Sequence, residues 1–132
     1  MPTDIGRAAE IAELGRELFD LARTGKTDDL IAYLDVGIPV DLRDHGGNTL
    51  LMMAAYHGHA STVAALADRG ADVDRLNDQG QSPLAGAIFK RHFEVAEVLL
   101  TASASPRAGA PSALNVALAY GLDDLLERLA GA

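Results

Sequence analysis

The sequence predicts an all-α chain: a solenoid of about four helix-turn-helix repeats, with capping units first and last and a helical extension at the N-terminus. Three observations predict it. Positions of matching chemistry recur at a constant step, the one that separates Thr49 from Ser82. Inside each step apolar residues recur at intervals of three and four, as on one face of a helix. Glycines at fixed offsets separate one helical run from the next. A period of this size, about 33 residues, is the signature of stacked supersecondary units, none of which can bury its apolar face alone.

The step appears when residues 48–59 are set against residues 81–92. Thr49 to Ser82, Leu51 to Leu84, Ala54 to Ala87, Tyr56 to Phe89 and His59 to His92 all repeat it. The same interval takes Gly25 to Gly58, Gly37 to Gly70, Val40 to Val73 and Asp41 to Asp74. A fourth copy spans 112–121. Ser112 follows Ser82 by a shorter step than Ser82 follows Thr49, so a few positions are missing between Ser103 and Pro111.

At these residues the sequence resembles the ankyrin-repeat family, whose pattern runs Asp-x-x-Gly-x-Thr-Pro-Leu-His-x-Ala-Ala, then Gly-His, an apolar helix, and Gly-Ala-Asp-Val-Asn. Asp44, Gly47, Thr49, Leu51, Ala54, Ala55, Gly58 and His59 match in the second repeat, and Gly70-Ala71-Asp72-Val73-Asp74 closes it. Gly80, Ser82, Pro83, Leu84, Ala87 and His92 match in the third. The resemblance covers residues 14–132 and implies a single ankyrin-repeat domain over 1–132. Within it, 1–13 would be the helical extension and the repeats would fall near 14–43, 44–76, 77–106 and 107–132.

The elements follow from local chemistry. In the first unit Ile5, Ala8, Ala9, Ile11, Ala12, Leu14, Leu18, Leu21 and Ala22 keep helical steps, with Thr3 or Asp4 as a cap. This is one long helix, or two broken near Gly15, forming a lid on the first repeat. Thr49 and Ser82 are natural N-caps because their hydroxyls accept from free first-turn amides, and Pro83 suits the first helical position. Gly58 ends one helix and Gly70 the next. Val63, Leu66 and Ala67, then Val95, Val98, Leu99 and Leu100, form the inner faces of second helices. Tyr33 and Phe19 read as core. Asp28-Asp29 and Asp123-Asp124 suit the positive ends of helices. In the last helix, Leu122–Ala130, the polar Asp123, Asp124, Glu127 and Arg128 oppose Leu125, Leu126 and Leu129, as a cap requires.

Three departures from the family pattern carry expectations. The family's loop-bridging His is replaced by Met52, Ala85 and Asn115, so the bridge should be missing, or partial at Asn115. Arg91 stands where a glycine ends the first helix, at a cost if its φ is positive. Residues 101–113 lack apolar periodicity and should be the most mobile internal segment, a shortened connection rather than a binding loop.

Composition bounds the function. With 132 residues, 48% hydrophobic and 23% charged, the chain can order one domain. It has no Cys, which removes disulfide, zinc-thiolate and thiol-nucleophile chemistry. A net charge of -8 argues against nucleic acid and membrane surfaces as partners. Asp4, Arg7, Glu10 and Glu13 interrupt any secretory h-region, so a cytoplasmic protein is expected. Nine Arg against two Lys, with abundant Ala, fit a bacterial source. No phosphate loop, nucleophile elbow or zinc spacing appears. No enzyme activity, cofactor or metal is expected, since His57 and His59 point to different sides of a turn, while the resemblance implies that His59 and His92 match a structural position of the family.

The resemblance implies a non-enzymatic module that binds another protein on its concave face. The partner-binding candidates are Arg43, His45 and Asn48 before repeat two, with Tyr56 and His57 ending its first helix. In repeat three they are Leu76, Asp78, Gln79, Gln81, Phe89 and Lys90. Tyr120 and Ala119 supply the fourth repeat, Arg23 and Thr24 the first. Tyr56, Phe89 and Tyr120 are three of six aromatic residues and would form a stripe; alternatively the rings pack on the neighbouring repeat. The charge favours a partner with a basic patch, such as a basic enzyme masked by an inhibitor or immunity-type protein. A monomer is expected. The remaining alternative is a scaffold dimerising through the N-terminal helix.

Overall fold

Thr49 shows how each repeat starts. Its extended backbone leaves the first-turn amides free, and its buried Oγ1 accepts from Met52 N at 3.1 Å. Ser82 does the same for Ala85 N at 3.1 Å with Pro83 at the first turn, and Ser112 for Asn115 N at 3.2 Å. Each cap satisfies an amide that the helix cannot.

The computed structural model describes the backbone of residues 3–132 and side chains from residue 9 onward. The elements are α1 (Thr3–Thr24), α2 (Thr27–Asp35), α3 (Leu50–Tyr56), α4 (Ala60–Asp68), α5 (Pro83–Phe89), α6 (Phe93–Thr101), α7 (Ala113–Ala119) and α8 (Asp123–Ala130). Among the described residues there is no strand, only an isolated antiparallel bridge between Arg43 and Thr49. The helices form two layers. The first helices stack α1 on α3, α3 on α5 and α5 on α7; behind them α2 packs on α4 and α4 on α6. This is the all-α solenoid that the period predicts.

The core lies between the layers. Leu18, Leu30, Leu51, Leu66, Leu84, Ile88, Leu99 and Leu129 are fully buried, with Ala54, Ala55, Ala87, Ala113 and Ala117 among them. The small side chains let first helices approach closely. Ala67 and Val98 are only half-buried, while Ala96 is buried. Tyr33 and Phe19 sit at the edge of the core rather than inside it. The Tyr33 hydroxyl donates to Glu17 Oε1 at 2.9 Å, and that bond with the nearby carboxylate raises the Tyr33 pKa.

The ends meet expectation in part. The first helix runs unbroken through Gly15. Leu14, Leu18, Leu21 and Ala22 pack on the core, but residues 9–13 are all exposed and Ile11 is 63% exposed. This part of the helix therefore lids nothing: the stack under it starts one turn later. The Thr3 or Asp4 cap and the side chains of Ile5 and Ala8 lie outside the described residues.

At the other end Leu129 is buried and Asp123, Asp124, Glu127 and Arg128 are exposed, as a cap requires. The helix begins at Asp123, with Leu122 as N-cap. Leu118 occupies the position of Ile88 one repeat earlier. Ile88 is fully buried, whereas Leu118 is 62% exposed because no described helix lies over it.

The hairpin-like loops are tied into a ladder. Asp44 Oδ1 accepts from Gly46 N and Asn48 N, both at 2.9 Å. Asn77 Oδ1 accepts from Gln79 N and Gln81 N, both at 3.0 Å. Neighbouring loops join where Asp78 N donates to Gly46 O at 2.9 Å and Ala110 N to Gly80 O at 3.1 Å. One turn away, Asp41 Oδ1 accepts from Asp72 N and Asp74 Oδ1 from Ser105 N. The segment 101–113, expected to be the most mobile, is thus bonded to the preceding repeat, with Ala104 and Pro106 buried. Asn115 makes no loop bridge. Its Oδ1 accepts from Ser112 N at 3.1 Å and Ser112 Oγ at 2.8 Å, closing a capping box within its own repeat.

Candidate functional site

The register places three columns side by side at the C-terminal ends of the first helices. Arg23, Tyr56, Phe89 and Ala119 form one. Thr24, His57, Lys90 and Tyr120 form the second. Gly25, Gly58, Arg91 and Gly121 form the third. Because each helix ends at the same point of the repeat, every repeat delivers its last residues to this edge.

The aromatic side chains meet there. The Tyr56 ring leans on the next first helix, 3.5 Å from the point where Gly86 would carry a Cβ, and is half-buried. Lys90 Nζ stands 5.2 Å above its centroid, and the His57 ring meets it edge-on at 5.7 Å. Phe89 and Tyr120 lie 6.2 Å apart, centre to centre, and are 49% and 42% exposed. The Arg91 guanidinium sits 5.0 Å over Tyr120. Cations over aromatic faces hold this geometry, each contributing about 0.5–1 kcal/mol at an exposed position.

The electrostatics of the edge are positive. Partial burial lowers the His57 pKa, and the charges of Arg23, His59, Lys90 and His92 lower it further. Arg23 is paired with Asp20 at 2.8 Å. His59 and His92 face inward instead. His59 Nε2 lies 2.7 Å from Arg23 O, and the His92 ring fits under Gly58.

Of the other partner-binding candidates, Arg43, His45, Asp78 and Gln79 are exposed around the loop tips. Asn48 and Gln81 are half-buried and also hydrogen-bonded within the loop ladder. Asn48 Nδ2 donates to Asp44 Oδ2 at 3.3 Å and its Oδ1 accepts from Asn77 Nδ2 at 3.0 Å. Gln81 Oε1 accepts from the same Asn77 amide at 3.4 Å. Leu76 is 38% exposed, with its Cδ2 packed toward Gly109 of the following loop. The structure thus separates two clusters, Tyr56 with His57 and Lys90, and Phe89 with Tyr120 and Arg91, from the loop residues.

Sequence reasoning assigned Arg91 only a backbone cost. The cost is real, since its φ is 63°, but its side chain also belongs to the row. Column alignment would have found it, because residues 89, 90 and 91 are consecutive. Phe93, 43% exposed, was also missed. It lines a groove of about 700 Å³ with Leu122, Leu125, Glu97 and Arg128 between α6 and α8. There the outer layer parts, and Arg128 reaches Glu97 at 3.3 Å across the gap.

The comparisons agree with this architecture. The ankyrin-repeat family profile, three copies, matches residues 18–110. An ankyrin repeat protein of Pseudomonas aeruginosa is 52% identical over 54 residues, covering 41% of this chain and 32% of its own length. An ankyrin repeat-containing protein of Treponema pallidum is 34% identical over 102 residues, covering 76% of this chain and 34% of its own. The human ankyrin repeat domain-containing protein 29 is 44% identical over 62 residues, 46% of this chain and 21% of its own. The chain therefore spans about a third or less of the length of these curated relatives. Ankyrin repeats are generally protein-protein interaction modules and generally non-enzymatic. With the profile covering most of the sequence and the helix pairs stacked in its register, the chain belongs to the ankyrin-repeat family.

Proposed function

We propose that this chain is a non-enzymatic docking module whose protein partner lies along the Tyr56–Phe89–Tyr120 row on the concave face. One observation carries the reading. At the C-terminal ends of α5 and α7, Phe89 and Tyr120 stay about half exposed in mutual contact. Rigid aromatic rings bordered by polar groups are what binding hot spots use. Arg43, His45, Leu76 and Asp78 at the loop tips would form the rim. No described helix is long and apolar enough to cross a membrane. The charge of -8 supports the reading of a protein, taken as cytoplasmic, that binds neither nucleic acid nor an anionic membrane surface. The same charge, carried outside the row, would speed encounter with a partner that bears a basic patch away from the segment docked on the row, the inhibitor-type reading.

The test is affinity capture from the native host with Tyr56→Ala/Phe89→Ala as control. Loss of the captured partner with helical circular dichroism retained supports docking on the row; capture unchanged by the double substitution rejects it. A second reading has its own observation. Ile11, 63% exposed on the uncovered part of α1, would suit a dimer contact. Light scattering decides: a monomer at micromolar concentration removes it.

A further inference from the structure

The chain carries 19 Asp and Glu against 11 Lys and Arg. The three columns of the row reverse that balance. Residues 23–25, 56–58, 89–91 and 119–121 include Arg23, Lys90, Arg91 and His57, and no acidic residue. Arg23 is answered by Asp20. Among the described residues no carboxylate forms an ion pair with Lys90 or Arg91. Both lie over rings instead, Lys90 over Tyr56 and Arg91 over Tyr120. Phe89 precedes them in sequence, half exposed and against Tyr120.

We infer that the row accepts an acidic peptide segment of the partner, an apolar side chain set on Phe89 and Tyr120 with flanking carboxylates on Lys90 and Arg91. This deepens the docking function and rests on it. A guanidinium or ammonium already held over a ring is pre-organised, so a carboxylate meets it at little further ordering cost. The net charge of -8 does not decide the matter at contact. Screening reduces exposed charges to a range of about 8 Å in physiological salt, so at contact the cations of the row weigh more than the distant carboxylates that make up most of the net charge. A basic segment would have to desolvate its own cations against Lys90 and Arg91, a like-charge arrangement that excludes partners.

The experiment is selection from a displayed library of random dodecapeptides against the full chain. The selected peptides are then measured by fluorescence anisotropy on three proteins: the parent, Tyr56→Ala/Phe89→Ala, and Lys90→Gln/Arg91→Gly. The last variant removes both charges while giving position 91 the residue its backbone favours, and circular dichroism checks its fold. The expected result is enrichment of Asp and Glu around an aromatic or Leu. Affinity should fall at least about tenfold in both variants, as it does when charge partners are removed, and should weaken as salt is raised. Peptides that need Tyr56 and Phe89 but are basic or neutral, and are indifferent to Lys90→Gln/Arg91→Gly, overturn the acidic-segment inference and leave docking on the row intact. Peptides indifferent to both variants overturn the two together.

Discussion

A Cβ at Gly58 would lie 2.8 Å from Nδ1 of His92, and Gly25 stands to His59 in the same way, at 2.6 Å. The ring from one repeat fills the space left by the glycine of the repeat before. At the third junction both partners change together. Arg91 takes the glycine position, and Leu122, in register with His92 as Gly121 is with Arg91, takes the histidine position. By analogy with the first two junctions, a side chain at residue 91 would collide with an imidazole at 122, and Leu122 removes that ring. This is also where the outer layer opens into the groove lined by Phe93, Leu122 and Leu125.

Gly58→Ala and Gly70→Ala separate the two costs at such positions. Both residues have positive φ, 83° and 85°, but a Cβ at Gly70 meets nothing within 4 Å. Gly70→Ala should therefore cost only the left-handed conformation, about 1–2 kcal/mol. Gly58→Ala should add about 1–3 kcal/mol for overlap with the His92 ring. Urea denaturation of the two variants checks the difference; equal midpoints would show that the ring moves aside freely.

Arg91→Gly should leave stability unchanged or raise it by up to about 1.5 kcal/mol. Removing a side chain from a φ of 63° relieves about 1–2 kcal/mol, against about 0.5–1 kcal/mol lost over Tyr120. Leu122→His should destabilise the parent yet be tolerated beside Arg91→Gly. A double-mutant cycle should return a coupling of about 1 kcal/mol or more; additive effects would mean that the junction is not a paired replacement.

How much of this was legible depends on what each residue does. Thr49, Ser82 and Pro83 act within one turn, so their roles could be read from local chemistry, and the constant step from repeat to repeat placed the stack. That Asn48 and Gln81 share Asn77 as a hydrogen-bond partner was not legible, because Asn77 reaches Asn48 only when loops stack. Residues 9–13 read as a lid because helical periodicity shows an apolar stripe without showing what lies beneath it. Arg91 looked like a backbone cost alone, since the ring it covers comes from the next repeat.

Leu51→Ala should cost about 2–5 kcal/mol as a truncation in the core. Leu51 is fully buried on α3, which packs on both α1 and α5, so neither neighbour can collapse into the space without disturbing the other. An unchanged denaturation midpoint would contradict that placement.

Tyr56 and Phe89 should differ in what they contribute to folding, although they share a register position. Tyr56 rests against α5 near Gly86 and beneath Lys90, so Tyr56→Ala should cost about 1–2 kcal/mol of lost burial. Phe89 is 49% exposed, and Phe89→Ala should cost less, about 1 kcal/mol. Thermal melts of the single variants check this, and they also show which single substitution is the cleaner probe of binding.

His57 gives the chain a defined pH response. Burial, with the cations around it, lowers its pKa from the usual 6.5. The unfolded chain therefore binds a proton at His57 before the folded chain does. Stability must fall as pH drops through the ordinary histidine range, and this contribution levels off below the folded pKa. The ring is exposed, so the effect should be small. His57→Gln should flatten that part of the stability profile without changing the midpoint at neutral pH. Proton NMR of the imidazole gives the direct reading: His57 should titrate below 6.5, and a midpoint at or above that value would mean that neither burial nor the surrounding cations act on this ring.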